Sequence, residues 1–249
     1  MVSPIETAIA NCAGSVARIA CGDTGSMGTA FFVTSEIALT CDHVVSIDRL
    51  TSRGTIVHDF SRDIRVHTAD GREIPASVVS SAVSTEPYAY DYAVLHCPAA
   101  AARALTLGTY EDANVGEEVV ILGHPFGIGH LIATRAMIAA KAQVLSPRNS
   151  LFAVDVLELD GSVNSGNSGG PAVSTTRNEV LGIVSVRHGS IQARVDLLRQ
   201  QVQGTMVEAL FEPLLDILEM SNTFMNPGLG RANSLAYARR ELATLGIVI

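Results

Sequence analysis

A serine enclosed by glycines is the residue in this sequence best suited to chemistry. Ser168 lies in the segment 166–171 (GNSGGP), where glycines permit a tight turn whose backbone amides point inward while the hydroxyl stays open. Acyl transfer builds negative charge on the substrate carbonyl oxygen, which the amides of Gly166 and Ser168 would stabilise. The segment therefore predicts a nucleophilic serine with an oxyanion hole formed by Gly166 and Ser168 and shaped by Asn167. Taken alone, it also fits a glycine-rich connection between strands.

The base and the acid that activate a serine are both present upstream. His43 follows the strand-like run 37–40 (IALT), and Asp91 directly precedes the apolar run 92–95 (YAVL). The order His, Asp, Ser is one of the chain orders known for this triad. These residues predict His43 as general base and then general acid, Asp91 as the group that orients the imidazole, and Ser168 as the nucleophile.

Beyond these residues, the chain resembles the trypsin/chymotrypsin superfamily over roughly residues 12–196, and within it the HtrA/Deg type, which also has asparagine before the serine. Further segments match in family order: 71–76 (GREIPA), 115–127 (VGEEVVILGHPFG), 180–185 (VLGIVS) and 193–195 (ARV). The resemblance implies an all-β fold of two six-stranded antiparallel β-barrels, chymotrypsin-like, at about 12–98 and 115–196. Together they form a protease domain at 1–196.

The residue pattern changes after the expected last strand at 193–195. Up to that point, short β-branched runs bounded by turn residues are typical of strands. Beyond it, apolar residues recur at helical spacing, which predicts a C-terminal helical extension at 197–249. The resemblance implies that a helix of this extension packs on barrel two. We expect a first helix capped by Asp196, in which Pro213 either makes a kink or starts a new turn, and a second, short helix capped by Asn233 or Ser234.

The loop at 123–130 (GHPFGIGH) contains two histidines. In HtrA-type proteases the matching loop helps switch the oxyanion hole between ordered and disordered states. His124 and His130 could sense pH or bind a metal, but an exposed turn is the favoured interpretation. The other histidines of barrel one, His58, His67 and His96, are expected to be solvated or to belong to the core.

The resemblance also implies how the enzyme becomes active. Digestive-type members insert a newly cut N-terminus beside the aspartate that precedes the serine. Asn167 cannot form that ion pair, so we expect no zymogen cleavage. Its side-chain amide is expected to hydrogen-bond locally, with an oxyanion hole that is either preformed or ordered by a partner.

The resemblance places five residues in the substrate cleft: Ser162, Ser185, Val186, Arg187 and Ser190. Ser162 would lie at the base of the specificity pocket, Ser190 opposite it and Arg187 on the rim. A basic substrate side chain would find no carboxylate at Ser162 or Ser190, so cleavage after a small or medium uncharged residue is expected. Arg187 could narrow the mouth, pair with an acidic group or point to solvent.

Composition excludes several other functions. The 249 residues carry a net charge of −8 and no basic run, which argues against nucleic-acid binding. No apolar stretch reaches the length of a membrane span, and the first residues have no leader pattern, so a cytoplasmic protein, or one trimmed of its signal, is expected.

Four cysteines are expected to be reduced thiols, with a Cys12–Cys21 bridge as the alternative. No zinc motif is present, and no metal or organic cofactor is expected.

Protein or peptide is the expected substrate, and no PDZ domain is recognised after residue 196. The apolar end of the chain predicts that residues 222–249 dock on a partner protein, on another copy or on a further domain. A catalytically silent binding or scaffold module on the same fold is the alternative function. The intact triad argues against that alternative.

Overall fold

The computed structural model describes residues 2–50, 56–81, 90–146, 151–187, 192–224 and 228–249. The chain begins with helix α1 (Pro4–Cys12), which the sequence analysis did not predict. A capping box begins it: the Glu6 amide donates to Ser3 Oγ at 3.2 Å, and the Ser3 amide donates to Glu6 Oε2 at 2.8 Å. The helix buries Ala8 and Cys12 against barrel one.

Barrel one contains strands β1 to β3 and β6 to β8, which close in the order β1-β2-β3-β8-β7-β6. Their bounds, with helix α2 and the separate hairpin β4–β5, are β1 Val16–Cys21, β2 Met27–Phe32, β3 Ile37–Thr40, α2 Asp42–Val45, β4 Ser46–Leu50, β5 Ile56–Phe60, β6 Ile64–His67, β7 Glu73–Ser81 and β8 Ala93–His96. In β1, Ala17 and Ile19 are fully buried while Arg18 stays partly exposed. This alternation puts one face of each strand into the barrel core.

Barrel two closes in the order β10-β11-β14-β13-β12-β9. Its strands are β9 Glu118–Gly123, β10 Ile132–Leu145, β11 Ala153–Asp160, β12 Pro171–Ser174, β13 Val180–Arg187 and β14 Leu229–Ser234. The strand pairs of both barrels are antiparallel. The all-β prediction of two six-stranded barrels is thereby confirmed.

The last strand of barrel two is not where the sequence analysis expected it. Residues 193–195 lie in helix α3 (Gln192–Val202), because this segment continues into leucine, arginine and glutamine, which favour helix. β14 takes the place of the expected strand, so barrel two extends past residue 196. Its inward residues are small, and a Cβ on Gly230 would lie 2.1 Å from Val163 Cγ2. Small inward residues give a weak strand signal, which is why the sequence analysis did not predict this strand.

The C-terminal helices also differ in part from expectation. Asp196 lies inside α3 instead of capping it, and a turn at Gly204, with φ of 74°, separates α3 from α4 (Glu208–Phe224). Pro213 lies within α4. None of the helices in the described ranges has the length and apolar character needed to cross a membrane.

Helix α5 (Ala236–Thr244) falls close to the predicted second short helix. It packs on barrel one, burying Ala238 and Leu242 in that core, whereas the extension was expected to pack on barrel two. The Tyr237 ring stacks on Tyr90 with 3.5 Å between centroids. Part of the tail that was expected to dock elsewhere is therefore covered by the chain's own first barrel.

Candidate active site

His43 and Asp91 lie together because strands β3 and β8 pair. Thr40 is opposite Ala93 in the antiparallel register, so the residues that follow β3 and precede β8 emerge at the same edge. His43 Nδ1 lies 2.8 Å from Asp91 Oδ2, and the His43 amide donates to Asp91 Oδ1 at 3.1 Å. A carboxylate only accepts, so Nδ1 carries the proton and Nε2 is left as the basic nitrogen. The His43 side chain is 43% exposed and that of Asp91 14%, so the imidazole is open and the carboxylate is covered.

Ser185 joins this pair to the serine of barrel two. Its hydroxyl donates to Asp91 Oδ2 at 2.5 Å, and its carbonyl oxygen accepts a hydrogen bond from Ser168 Oγ at 3.2 Å. The sequence analysis placed Ser185 in the substrate cleft and did not predict these contacts. No local pattern reveals them, since the three residues come from three distant segments.

The turn around Ser168 has the backbone shape that its glycines suggested. Gly166 and Gly169 have φ of 93° and 88°, values that favour glycine. The Gly169 amide donates to Val184 O at 2.7 Å and the Gly170 amide to Asn167 O at 2.9 Å. Within the described ranges, the amides of Gly166 and Ser168 donate to no protein carbonyl. Neither amide is therefore committed to a carbonyl oxygen of the described part of the chain.

Barrel one holds this turn from the other side. The Thr29 amide donates to Ser168 O at 2.9 Å, and Thr29 Oγ1 donates to Gly166 O at 2.7 Å. Gly169 packs so closely that an added Cβ would lie 2.1 Å from Thr29 O and 2.2 Å from Thr40 Oγ1. The serine turn is thus fixed by both barrels.

Asn167 does not make the local hydrogen bond that was expected of its amide. The residue is 2% exposed, and its Nδ2 has no acceptor in the described part of the chain. A Cβ on Gly123 would lie 2.7 Å from Asn167 Oδ1. Packing against Gly123, not a side-chain hydrogen bond from Nδ2, accounts for the position of the side chain.

The residues expected to set specificity are only partly described. Ser162 follows β11 with an exposed side chain. Ser190 lies outside the described residues, and so do the side chains of Val186 and Arg187. The backbone of β13 at Arg187 pairs with Gly230 of β14. The pocket prediction therefore stays a prediction.

Cys41 lies beneath the His43–Asp91 pair. Its Sγ donates to Val184 O at 3.3 Å, and one ligand atom each of Cys41, His43 and Asp91 lie within 4.8 Å of one another. Burial, followed by the charge of Asp91, raises the pKa of the Cys41 thiol well above its usual range. A protonated thiol is a poor metal ligand. All four cysteines are free and buried, so the alternative Cys12–Cys21 bridge is not formed.

One histidine has a partner that the sequence analysis did not assign, and another is buried where an exposed turn was favoured. His58 Nε2 lies 3.4 Å from Oδ2 of Asp42, a fully buried carboxylate next to His43, although no acid was assigned to His58. His124 is 6% exposed, unlike the exposed turn that was favoured, and its Nδ1 donates to Ile128 O at 3.0 Å. Burial lowers the pKa of His124.

Comparison with known proteins gives a family and a fold. A family model described as trypsin-like peptidase domain matches residues 28–183, more than half of the chain. The Rv3671c protease of M. tuberculosis, in its inactive form, has a TM-score of 0.65 at 22% identity, covering 96% of this chain and 93% of that one. A serine endoprotease from Yersinia pestis has a TM-score of 0.64 at 20% identity, covering 98% and 67%. At these identities the two structures support the fold alone.

Curated relatives are more similar in sequence over a shorter stretch. A probable periplasmic serine endoprotease, DegP-like, from Halomonas elongata is 34% identical over 161 residues, which is 64% of this chain and 29% of that protein. Protease Do-like 1, chloroplastic, from Arabidopsis thaliana is 31% identical over 116 residues, 46% of this chain and 25% of that protein. The chain spans less than a third of the length of these relatives.

The names of the bacterial relatives correct the expected location. The Halomonas protein and a similar one from Pseudomonas putida are both named periplasmic. The expectation of a cytoplasmic protein is therefore wrong; it rested on a missing leader pattern, which does not identify a compartment. By its family match and its two barrels, the chain belongs to the trypsin-like peptidases and resembles their HtrA/DegP-type members.

Proposed function

We propose that the protein is a serine endopeptidase that cleaves peptide bonds through an acyl-enzyme. The observation that carries this proposal is the hydrogen bond from His43 Nδ1 to Asp91 Oδ2 beside the Ser168 turn. Ser185 contacts both Asp91 and Ser168, so the acid and the serine belong to one continuous network. The family match and the relatives named serine endoproteases support the same reaction.

In the proposed reaction, His43 Nε2 takes the Ser168 proton as the hydroxyl oxygen attacks the substrate carbonyl carbon. Asp91 stabilises the imidazolium that forms and holds its tautomer. His43 then gives the proton to the leaving amine, and water repeats the sequence to release the acid. Before attack, rotation about one bond must turn the hydroxyl away from the Ser185 carbonyl, its acceptor at 3.2 Å.

The proposed oxyanion hole consists of the amides of Gly166 and Ser168. Their freedom from internal carbonyls within the described ranges supports this assignment. A donor of this kind contributes about 3 kcal/mol of transition-state stabilisation. Asn167 contributes through packing against Gly123, which sets the shape of the turn.

For the substrate, we propose a polypeptide cut after a small or medium uncharged residue. Ser162 offers no carboxylate to a basic side chain, and leaving such a charge unpaired in a pocket costs several kcal/mol. Cleavage of a peptide library, with mass-spectrometric identification of the cut sites, tests this cleavage preference: a majority of cuts after arginine or lysine would contradict it.

Because similar proteins are named periplasmic, the proposed site of action is outside the cytoplasm.

An activating partner or a second copy is proposed to bind the C-terminal extension. The proposal rests on helix α4, where Leu210, Leu214 and Ile217 recur at helical spacing and are 75%, 50% and 62% exposed. Light scattering with chromatography compares the protein with a Leu210→Lys/Ile217→Lys variant. A monomer whose activity is unchanged by the double substitution would contradict a role for this face.

Labelling by a fluorophosphonate, read by intact mass, tests the nucleophile. We expect one adduct on the wild-type protein and none on Ser168→Ala, with Ser165→Ala, which alters an exposed serine in the same turn, labelled like the wild type. Failure to label the folded wild type, with or without a partner, would favour the silent scaffold. The observation that favours this alternative is the hydrogen bond from the Ser168 hydroxyl to Ser185 O.

A further inference from the structure

A cavity of about 490 Å³ lies between the outer face of barrel one and the 123–131 segment of barrel two. Four of its lining side chains are cationic or can become so: Arg18, His67, His124 and His130. Arg18 and His67 lie directly opposite each other in the β1–β6 register, so their side chains share a face. The volume is within the range of small-molecule sites.

Arg18 has no matching carboxylate among the described residues. Arg18 Nε is buried and has no acceptor in the described part of the chain. None of the ion pairs among the described residues includes Arg18. A buried guanidinium nitrogen without an acceptor is costly, so the arrangement favours binding of an external one.

Neighbouring charges do not fill this role. Glu73 Oε2 lies 3.7 Å from His67 Nδ1, but the carboxylate also faces Arg65 at 3.9 Å on the strand surface. Asp70, beside the cavity, is bonded to Arg72 and Thr68. Burial and the Arg18 charge both lower the pKa of His67, and burial is also the main cause that lowers the pKa of His124.

A single pair of opposite residues, Arg18 and Thr29, connects the cavity to the serine turn. On the other side of β1, Arg18 lies opposite Thr29 of β2. Thr29 Oγ1 donates to Gly166 O at 2.7 Å and accepts from the His124 amide at 3.0 Å. The Phe126 amide donates to Ser165 O at 2.6 Å, so the segment that lines the cavity packs directly on the turn.

We propose that this cavity binds a small oxyanion, a phosphate or carboxylate group, and that its occupancy stabilises the serine turn. The anion accepts from Arg18 and from the imidazoles of His67 and His130, while His124 contributes charge when protonated. Arg18 and the protonated histidines repel each other, and the bound anion offsets this repulsion because each of them attracts the same negative charge. Binding then holds the 123–131 segment on barrel one and, through Thr29, holds Gly166. The effect on catalysis rests on the proposed function; the binding does not.

Titration of Ser168→Ala protein with sulfate, phosphate and acetate at fixed ionic strength tests the site. Sulfate keeps its charge between pH 5.5 and 7.5, so any change of its affinity with pH reports protonation of the protein. We expect saturable binding at one site, tighter at the lower pH, with shifts of the His67 and His124 ring resonances in the unaltered cavity. Preference for phosphate over acetate distinguishes the two sources of the oxyanion.

Matched variants separate the site from general electrostatics. Arg18→Gln should weaken sulfate binding about tenfold, as expected for loss of a charge-assisted contact. Arg62→Gln removes an equal charge from an exposed position outside the cavity and should change affinity less than about twofold. Absence of saturable binding by all three anions, or equal weakening by both variants, would overturn the proposal.

The rate of fluorophosphonate labelling of the wild type, with and without saturating sulfate, tests the coupling. We expect acceleration of severalfold in the wild type and none in Arg18→Gln. Binding without acceleration would refute the link to the serine turn. A wild type that is never labelled would remove the proposed function, whereas the titration of Ser168→Ala would still decide whether the anion site exists.

Discussion

The Ser185 hydroxyl donates to Asp91 Oδ2 at 2.5 Å, the same carboxylate oxygen that His43 Nδ1 contacts at 2.8 Å. The acid of barrel one is therefore held by a strand of barrel two. Because the Ser185 carbonyl also accepts from Ser168 Oγ, one residue couples both parts of the proposed triad. Its side chain is a positioning group, since it reaches the reacting atoms only through Asp91.

Substitution of that serine tests the positioning role. Ser185→Ala should lower kcat about tenfold with KM little changed, as expected for loss of a hydrogen bond to a charged group. Ser185→Thr keeps the hydroxyl and should restore most of the rate. Ser174→Ala removes another buried serine that donates to a carboxylate, Glu117, and serves as the control. Equal losses in Ser185→Ala and Ser185→Thr would contradict the role.

Asp91→Asn should lower kcat by about four orders of magnitude, because an amide can donate to His43 Nδ1 and stabilise the wrong tautomer. Steady-state hydrolysis of a peptide substrate gives the rate, and circular dichroism checks the fold. Asp112→Asn, at an exposed position in the segment between the two barrels, should leave the rate unchanged. A loss below about tenfold in Asp91→Asn would show that Asp91 is not the orienting acid.

Gly169→Ala should destabilise the protein by several kcal/mol and abolish labelling of Ser168. Its Cβ would lie 2.1 Å from Thr29 O, and its φ of 88° is unfavourable for alanine. Gly116→Ala is the matched control: its φ is 87°, but nothing lies within 4 Å of the added Cβ. It should cost only about 1–2 kcal/mol, the strain of the backbone alone. Similar unfolding free energies for both variants would mean that close packing of the turn is unimportant.

The buried pair of Asp42 and His58 should contribute to the stability of the segment that carries His43. His58→Phe removes one member of a pair whose Asp42 side chain is fully buried, and should cost about 3 kcal/mol. Adding Asp42→Ala should recover part of that loss, because no buried charge then remains. Urea unfolding of the two single variants and the double variant gives the coupling energy. Strict additivity would indicate that the two side chains do not interact.

The stability of the protein should fall on acidification, in part through His124. Its folded-state pKa lies below the ordinary 6.5, chiefly because of burial. The unfolded chain therefore takes up the proton first, so the stabilising contribution is complete above pH 6.5 and is lost as pH falls through the folded-state pKa. His124→Gln should flatten the dependence of the unfolding free energy on pH between pH 7.5 and 5. An unchanged slope in His124→Gln would contradict the assignment.

The local sequence was sufficient for the serine turn, whereas the two-barrel fold was predicted from the family resemblance. Gly166 and Gly169 indicate positive φ because other residues are strained there, and the φ values agree. The residue types of His43, Asp91 and Ser168, in a known chain order, predicted a site whose first two members are in contact. Family resemblance then extended these local signals to the order of the strands.

Other features depended on contacts between segments far apart in the chain. Strand β14 was missed because its inward residues, such as Gly230, are small, and only the fit against Val163 requires that size. The placement of α5 on barrel one depends on the covering of Ala238 and Leu242 by a distant core, which helical periodicity cannot specify.

The sequence by itself predicted the chemistry, since a serine between glycines, a histidine and an aspartate permit few reactions together. The tertiary structure alone decided how that chemistry is supported. Ser185 contacts Asp91 across 94 positions of the chain, and Arg18 and His124 line the same cavity although they come from different barrels. Such pairings follow from strand register and barrel closure, which are set by packing of the whole chain and leave no trace in any single segment.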